Sequence, residues 1–170
     1  MPARKARPPA GQGGDDAGGG APVALDPTDL IILRVLQGNA RATFTQIGKA
    51  VGLSAPSAHD RVHRLERRGV IRGYHARIDP AMLGLGVLAL VGVIPAGSPD
   101  TAAMEDAFAA VGQIEAVHGV AGEESHFLVV RTRTIAELAE VLQRIRGVKG
   151  VARARTSVVL STAFERGPAV

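Results

Sequence analysis

The 170-residue sequence contains no cysteine and no tryptophan, and aromatic residues make up only 3% of it. Without cysteine, disulfides and metal sites that need a thiolate are excluded. No apolar run approaches the ~20 residues of a membrane helix, and no apolar segment of a secretory signal follows the basic start MPARKARPP. With 46% apolar residues, the chain can bury a core, so we expect a globular protein of the cytoplasm.

Basic groups outnumber acidic groups most strongly in the middle of the chain. Residues 25–80 carry nine basic and five acidic groups, whereas residues 81–170 carry eight and nine. The formal net charge of +4 therefore lies in the middle segment, where six arginines fall between Arg61 and Arg77. Such a patch suggests a polyanion as partner, although a solvated helix face would give the same pattern.

The first 24 residues have almost no large apolar side chains. The segment MPARKARPPAGQGGDDAGGGAPVA consists mainly of Gly, Pro and Ala with scattered charge. Because it cannot bury enough surface to offset the entropy of ordering, residues 1–24 are predicted to be a disordered tail.

Order begins abruptly with LDPTDLIILRVL. Asp26 has the position of an N-cap, Pro27 that of the first helical residue, and Asp29 that of a first-turn carboxylate. Leu25 and Leu30 are spaced as a hydrophobic staple. These signals together predict a helix that starts at this point.

Two further helices are predicted on either side of a tight turn. Thr43 stands three residues before Gln46, the spacing of a capping box, and Gly52 has the position of a helix stop. Ser54 is the N-cap candidate of the next helix, which Gly69 ends. The buried stripe of that helix is predicted to be Ala58, Val62 and Leu65. The outline, at about residues 44–63, is that of a helix-turn-helix.

The remaining pattern predicts an α+β protein with two domains. Residues 70–79, VIRGYHARID, alternate in polarity and predict a strand or small wing, which completes a winged helix-turn-helix domain over residues 25–80. Residues 81–164 follow a βαββαβ order, that of a ferredoxin-like domain, and residues 165–170 are a tail. The segments predicted in that order are GLGVLALVGVIP, DTAAMEDAFAAVG, IEAVHGV, SHFLVVRT, IAELAEVLQRIRG and VARARTSVVLST.

His59 and His63 lie four residues apart on the third predicted helix, as a chelating pair would. A stable metal site needs a third and a fourth ligand, and the local sequence adds only Asp60, which is not one turn away. We therefore expect no metal site. Arg61, at the edge of the buried stripe, is expected to pair with a neighbouring carboxylate.

The outward face of the same helix suits double-stranded DNA better. Short residues at the start of a recognition helix approach base edges, and arginines further along reach phosphates. For any single arginine, a solubilising role gives the same pattern. The predicted DNA-binding residues are Thr45, Ser54, Ala55, Pro56, Ser57, His59, Asp60, His63, Arg64, Arg67, Arg68 and Arg72.

Residues 25–74 contain the motifs L-D-x-x-D, N-A-R, V-G-L-S and R-V-x-R-L-E-x-x-G-V-I-x-G-Y. In these motifs the chain closely resembles the Lrp/AsnC family of transcription regulators, and a looser match extends to about Ala163. The resemblance implies an N-terminal winged helix-turn-helix that binds DNA. It also implies a C-terminal domain that forms homodimers, assembles them into octamers and often binds an amino acid, without a cofactor.

The effector loop of that family resembles G-x-x-D-[YF], and here Gly122, Glu123, Glu124, Ser125 and His126 occupy it. Serine stands where aspartate is usual, so a neutral hydroxyl replaces a carboxylate suited to an ammonium group. The glutamates could compensate, or the loop could be a polar hairpin turn. The candidate effector-binding residues are Gly122, Glu123, Glu124, Ser125, Thr156 and Ser157.

Two other functions share parts of this pattern. Sirohaem decarboxylases are similar in fold, but such an enzyme would have no use for the complete recognition-helix motif. RNA-recognition motifs share the βαββαβ order, but they stack bases on strand aromatics, and here only Phe127 lies on a candidate central strand. Neither G-x-S-x-G nor a phosphate-binding glycine loop is present, so a non-enzymatic regulator is predicted.

Overall fold

The computed structural model describes residues 23–170, and most of the predicted tail at residues 1–24 lies outside this range. The described chain divides into two compact units. The first runs through His75 and includes Gly167–Val170, and the second is Ala76–Arg166. None of the described helices is both long enough and apolar enough to cross a membrane.

The first unit is built from three helices, α1 (Pro27–Gly38), α2 (Phe44–Val51) and α3 (Ala55–Arg67). The predicted caps are confirmed: Asp26 caps α1, Thr43 and Gln46 form a capping box on α2, and Ser54 caps α3. Gly52 ends α2 with a left-handed backbone, φ 70°. These short-range signals place α2 and α3 on either side of a tight turn, which is a helix-turn-helix.

A small apolar core holds the three helices together. The predicted stripe of α3 is buried against one residue of α1 and one of α2. This core fixes which face of α3 points outward. Its fully buried members are Ile32, Ile47, Ala58, Val62 and Leu65.

The predicted strand or wing at residues 70–79 is wrong. This segment forms neither helix nor strand, and a 3-10 turn follows at Pro80–Leu83. Gly73 has φ 156°, and the Tyr74 hydroxyl hydrogen-bonds back to Glu66 of α3 at 2.9 Å. An alternating pattern makes a strand only where a second strand supplies the hydrogen-bond ladder, and no strand within residues 23–170 pairs with this segment.

The second unit is confirmed as a βαββαβ domain. Its elements are β1 (Val87–Pro95), α4 (Thr101–Ala109), β2 (Ile114–Gly119), β3 (His126–Thr132), α5 (Ile135–Arg146) and β4 (Val151–Val158). The sheet has the order β2-β3-β1-β4, and each neighbouring pair is antiparallel. This is the ferredoxin-like topology, and the whole chain is an α+β protein.

Both helices of this unit cover the same face of the sheet. Met104 and Phe108 of α4 and Val141 of α5 are buried against alternate residues of β1 and β3. Because side chains alternate along a strand, the intervening residues lie on the other face, which neither of the two helices described in this unit covers. On that open face Leu90 is 43% exposed and Phe127 is 40% exposed.

Candidate DNA interface and effector loop

The start of α3 is organised by its own cap. Ser54 Oγ accepts a hydrogen bond from the Ser57 amide at 3.3 Å, and the two hydroxyls lie 2.9 Å apart. Pro56 follows in the first turn, where its missing amide hydrogen costs nothing. Both serines and Pro56 are exposed. This fixed, exposed turn is therefore the part of α3 that could approach another molecule most closely.

The two histidines of α3 contact each other. Their Nε2 atoms lie 2.9 Å apart, while His59 Nδ1 is 3.3 Å from Asp60 and His63 Nδ1 is 2.6 Å from Glu66. The His59 ring also packs edge-on against Phe44 of α2, with ring centroids 4.9 Å apart. Each imidazole nitrogen thus has a partner within the protein, so either ring must leave its partner before it can contact a base.

Glu66 links this network to the segment after α3. One of its carboxylate oxygens contacts His63, and the other accepts the hydrogen bond from Tyr74. Burial and the bond to Glu66 raise the pKa of Tyr74 to about 12. Tyr74 therefore remains a neutral hydrogen-bond donor at physiological pH and ties residues 70–79 to the helix.

The arginines of α3 have two different roles. Arg61 Nη1 lies 2.6 Å from Asp26 and 2.9 Å from Asp29, which confirms the expectation that Arg61 pairs with a carboxylate. Arg64 Nη2 also contacts Asp29, at 3.1 Å. The Asp29 side chain is only 2% exposed, so the two arginines supply the partners that a buried carboxylate needs.

These ion pairs hold α3 against α1. The hydrogen bond from Arg61 is the main reason why the pKa of Asp26 lies below its usual value. Arg64, expected to reach a phosphate, instead directs its guanidinium at Asp29, and its Nε is buried without a partner in the described structure. From the sequence, Asp29 was predicted only to be a first-turn carboxylate of the helix. Its position beside the apolar residues Leu30 and Ile32 could have indicated that it is buried and needs a charged partner.

The arginines beyond Arg64 are less constrained. Arg67 and Arg72 are exposed, and neither forms an ion pair or side-chain hydrogen bond with any residue from 23 to 170. Arg68 donates to the backbone carbonyl of Ala24 at 3.0 Å. Thr45 is exposed near the start of α2. Among the arginines from Arg61 to Arg77, Arg67 and Arg72 are therefore the two whose guanidinium groups have no partner in residues 23–170.

The candidate effector loop joins β2 to β3. Its two glutamates are held by Arg155 of β4, which lies 3.0 Å from Glu123 and 3.3 Å from Glu124. The Glu124 side chain lies over Gly92, where a Cβ atom would come within 3.0 Å of it. A larger residue at position 92 would thus displace Glu124 from the open face of the sheet.

The serine of this loop points to a buried histidine. Ser125 Oγ is 2.9 Å from His126 Nδ1, and His126 Nε2 is 3.3 Å from Glu105 of α4. His126 is 1% exposed and packs edge-on against Phe108. The burial of His126 was not predicted from the sequence, which placed this residue at the end of the candidate effector loop. The hydroxyl of Ser125 is engaged within the fold and is not free for a ligand.

The structure does not bring Thr156 and Ser157 together at this loop. Successive residues of a strand point to opposite faces, and in β4 Thr156 pairs with Val91 while Ser157 pairs with Leu90. Ser157 shares the open face with Arg155. Thr156 lies on the helix-covered side, and its Oγ1 is buried without a partner in the described structure. Arg155, which the sequence did not single out, takes their place beside the glutamates.

Within residues 23–170, no group of three or more histidine, cysteine, aspartate or glutamate side chains could hold a metal ion. The candidate surfaces are therefore a capped helix with exposed polar residues, and a loop of two glutamates bound to one arginine. Neither carries a nucleophile placed beside a base in open solvent.

Two family models match this chain. The AsnC-type helix-turn-helix domain matches residues 25–66, and the Lrp/AsnC ligand binding domain matches residues 87–169. The two matches cover the three-helix unit and the ferredoxin-like unit in turn. The expected combination of domains is thus confirmed by matches that are independent of the contacts described above.

Named proteins that resemble this chain in sequence or structure support the same family. The chain is 40% identical to the HTH-type transcriptional regulator LrpA of Mycobacterium tuberculosis over 144 residues, which cover 83% of this chain and 93% of that protein. The feast or famine regulatory protein of M. tuberculosis, solved in complex with L-methionine, superposes with a TM-score of 0.78 at 38% identity, covering 84% and 96% of the two chains. A transcriptional regulator of Neisseria meningitidis, also with L-methionine, gives 0.80 at 27% identity, covering 84% and 94%. The chain therefore belongs to the Lrp/AsnC family of transcriptional regulators.

Proposed function

We propose that this protein regulates transcription by binding double-stranded DNA at specific sequences through α3. The observation that carries this is the capped, exposed first turn of α3, presented by a helix-turn-helix whose core and ion pairs fix its direction. The named relatives are transcription regulators, which supports this function over a sirohaem decarboxylase-like enzyme.

In this proposal α3 enters the major groove with its N-terminal turn nearest the bases. Short side chains there contribute to sequence preference, and more distant arginines contact phosphates. Because Arg64 is held by Asp29, we assign the phosphate role first to Arg67 and Arg72. The residues proposed to face DNA are Thr45, Ser54, Ala55, Pro56, Ser57, His59, Asp60, His63, Arg64, Arg67, Arg68 and Arg72.

Arg67→Ala is expected to weaken DNA binding at all sequences to a similar extent. Each phosphate contact releases counterions, so its loss lowers the slope of log affinity against log salt concentration by about one unit. Fluorescence anisotropy of a labelled operator, selected from genomic fragments, measures that slope. Arg133→Ala removes an exposed arginine of the second unit as the matched control, and an equal change in both variants would contradict the assignment.

The base-reading role is tested by repeating the selection from genomic fragments with two variants. Ser57→Ala and His59→Ala should alter which fragments are selected, with little change in the salt slope. Unchanged sequence preference in both variants would show that the first turn of α3 does not face the bases.

We also propose that the protein is a homodimer, formed through the open face of its sheet, and that dimers assemble further into an octamer. Leu90 and Phe127 are exposed there beside Leu88 and Val129, and a second copy would remove this apolar surface from water. A twofold dimer would present two copies of α3 to half-sites one helical turn, or a multiple of one turn, apart.

Leu90→Asp is expected to convert the dimer to monomer, because an unpaired charge would be buried at the centre of the contact. Sedimentation velocity at micromolar concentration gives the mass directly. The control is Ile135→Asp, which places the same charge at a 60% exposed position of α5. A dimer that survives Leu90→Asp, or dissociates equally in the control, would move the interface elsewhere.

An amino acid is proposed to bind at the β2–β3 loop of Gly122, Glu123, Glu124 and Ser125, whose two glutamates are held by Arg155. A zwitterion offers a carboxylate to the arginine and an ammonium group to a glutamate, so it could replace the internal ion pairs. Thr156 is assigned no direct contact, since it lies on the helix-covered face of β4, whereas Ser157 shares the open face with Arg155 and stays a candidate contact.

L-Methionine, the ligand of the two similar structures, is the probe for this loop. Calorimetry should show that Arg155→Ala lowers its affinity at least tenfold, because the carboxylate loses its charged partner. Arg153→Ala, two residues away on the same strand face, should leave it unchanged. Equal affinities in both variants would place the amino acid at another site.

A further inference from the structure

The imidazoles of His59 and His63 are arranged as two ligands of one ion. Both Nδ1 atoms face carboxylates, of Asp60 at 3.3 Å and of Glu66 at 2.6 Å. A neutral imidazole that donates from Nδ1 has its lone pair on Nε2. With both imidazoles neutral and donating from Nδ1, the two Nε2 lone pairs face each other at 2.9 Å, which is also the length of an N–H···N hydrogen bond. Such a pair is stabilised by a positive species that both nitrogens share.

The separation of the two nitrogens indicates which geometry fits. Imidazole nitrogens bind first-row metal ions at about 2.05 Å, so two of them at a right angle lie about 2.9 Å apart, whereas a tetrahedral angle requires about 3.3 Å. The observed 2.9 Å matches the right angle. Adjacent positions of a square-planar or octahedral ion have this angle, and Cu²⁺ and Ni²⁺ prefer such geometries with nitrogen ligands.

The surroundings also suit an ion. The two imidazole side chains are 46% and 45% exposed, so both are open to solvent, and water can complete the coordination. Asp60 and Glu66 occupy the positions of outer carboxylates, which orient metal-bound imidazoles and offset the charge of the ion. Glu66 is itself fixed by the hydrogen bond from Tyr74.

We propose that His59 and His63 form an exchangeable site for a divalent late transition-metal ion, of the Ni²⁺ or Cu²⁺ type. No metal site was expected from the sequence, because a stably held ion needs more protein ligands than the two present here. A two-ligand site holds its ion reversibly. An ion there would lie on the surface proposed to face DNA, so the ion and DNA would compete; this consequence rests on the proposed function.

Calorimetric titration of the untagged full-length protein with NiCl₂ tests the site itself. We expect one ion per chain, and at least a tenfold loss of affinity in His59→Gln and in His63→Gln. His75→Gln removes an exposed histidine outside the pair and should change nothing. Circular dichroism verifies that the variants are folded. No binding, which would mean that the nitrogens share only a proton, or equal binding in all variants, would overturn the proposal.

The position of the bound ion and its effect on DNA affinity are measured in separate experiments. Paramagnetic Ni²⁺ should broaden amide resonances around α3 (Ala55–Arg67) before any others, and broadening centred elsewhere would refute the site. With labelled operator DNA, NiCl₂ should raise the dissociation constant of the wild type at least fivefold and leave His63→Gln unaffected. Ni²⁺ binding without this change would contradict the competition. Failure of any DNA to bind would count against the proposed function and leave the metal site intact.

Discussion

Asp29→Ala is expected to lower the free energy of unfolding of the first unit by about 3 kcal/mol, the lower end of what is lost when one partner of a buried ion pair is removed. Asp29 is 2% exposed and accepts from both Arg61 and Arg64. Its removal leaves Nη2 of Arg64 without a charged partner and takes one of two carboxylates from Arg61. Because these contacts join α3 to α1, DNA affinity should fall at least tenfold as well.

The sequence itself supplies a selective probe for this measurement. Tyr74 is the single tyrosine and there is no tryptophan, so tyrosine fluorescence during urea unfolding reports on the first unit. Asp60→Ala removes a carboxylate of α3 that is 83% exposed and should change stability by no more than about 0.5 kcal/mol. Similar losses in both variants would show that Asp29 does not anchor α3.

Gly48→Ala is expected to destabilise the first unit by about 3 kcal/mol and to abolish specific DNA binding. A Cβ atom at this position would lie 2.5 Å from the carbonyl oxygen of Leu53, in the turn before α3. The obstacle is backbone, so it cannot rotate away as a side chain could, and overpacking of this kind costs on the order of 1–3 kcal/mol. The turn would have to open, and α3 would change direction.

Gly38→Ala is the matched control for this substitution. Gly38 is the last residue of α1, and no atom lies within 4 Å of the position that its Cβ would occupy. Alanine favours a helix over glycine by about 0.5–1 kcal/mol, so this variant should be unchanged or slightly more stable. Urea unfolding followed by Tyr74 fluorescence compares the two. A Gly48→Ala protein as stable as the control would mean that the helix-turn-helix tolerates a wider turn.

The helix starts could be predicted because their physics is local. Asp26 accepts from the Asp29 amide, Thr43 from Gln46, and Ser54 from Ser57, in each case three residues along the chain. Such caps depend on residue type and short spacing, not on the rest of the fold. The order of strands and helices in the second unit was equally readable, since it follows from periodicity.

Prediction failed or stayed silent where a residue depends on a distant partner. The segment at 70–79 has the polarity of a strand, but none of the strands in the described part of the chain pairs with it. Arg64 has the sequence position of a phosphate contact, yet Asp29, 35 residues earlier, takes its guanidinium. The register of β4 places Arg155 with the loop glutamates, and separates Thr156 from Ser157.

The sequence by itself determined the helix-turn-helix, the βαββαβ order, the family and the charge of the surface on α3. Only the tertiary structure decided which arginines remain available, that His59 and His63 bind each other's ring nitrogens, and which residues of β4 face the effector loop. The physical reason is that propensity and capping act over three or four residues, whereas charge pairing and burial depend on contacts between residues far apart in sequence.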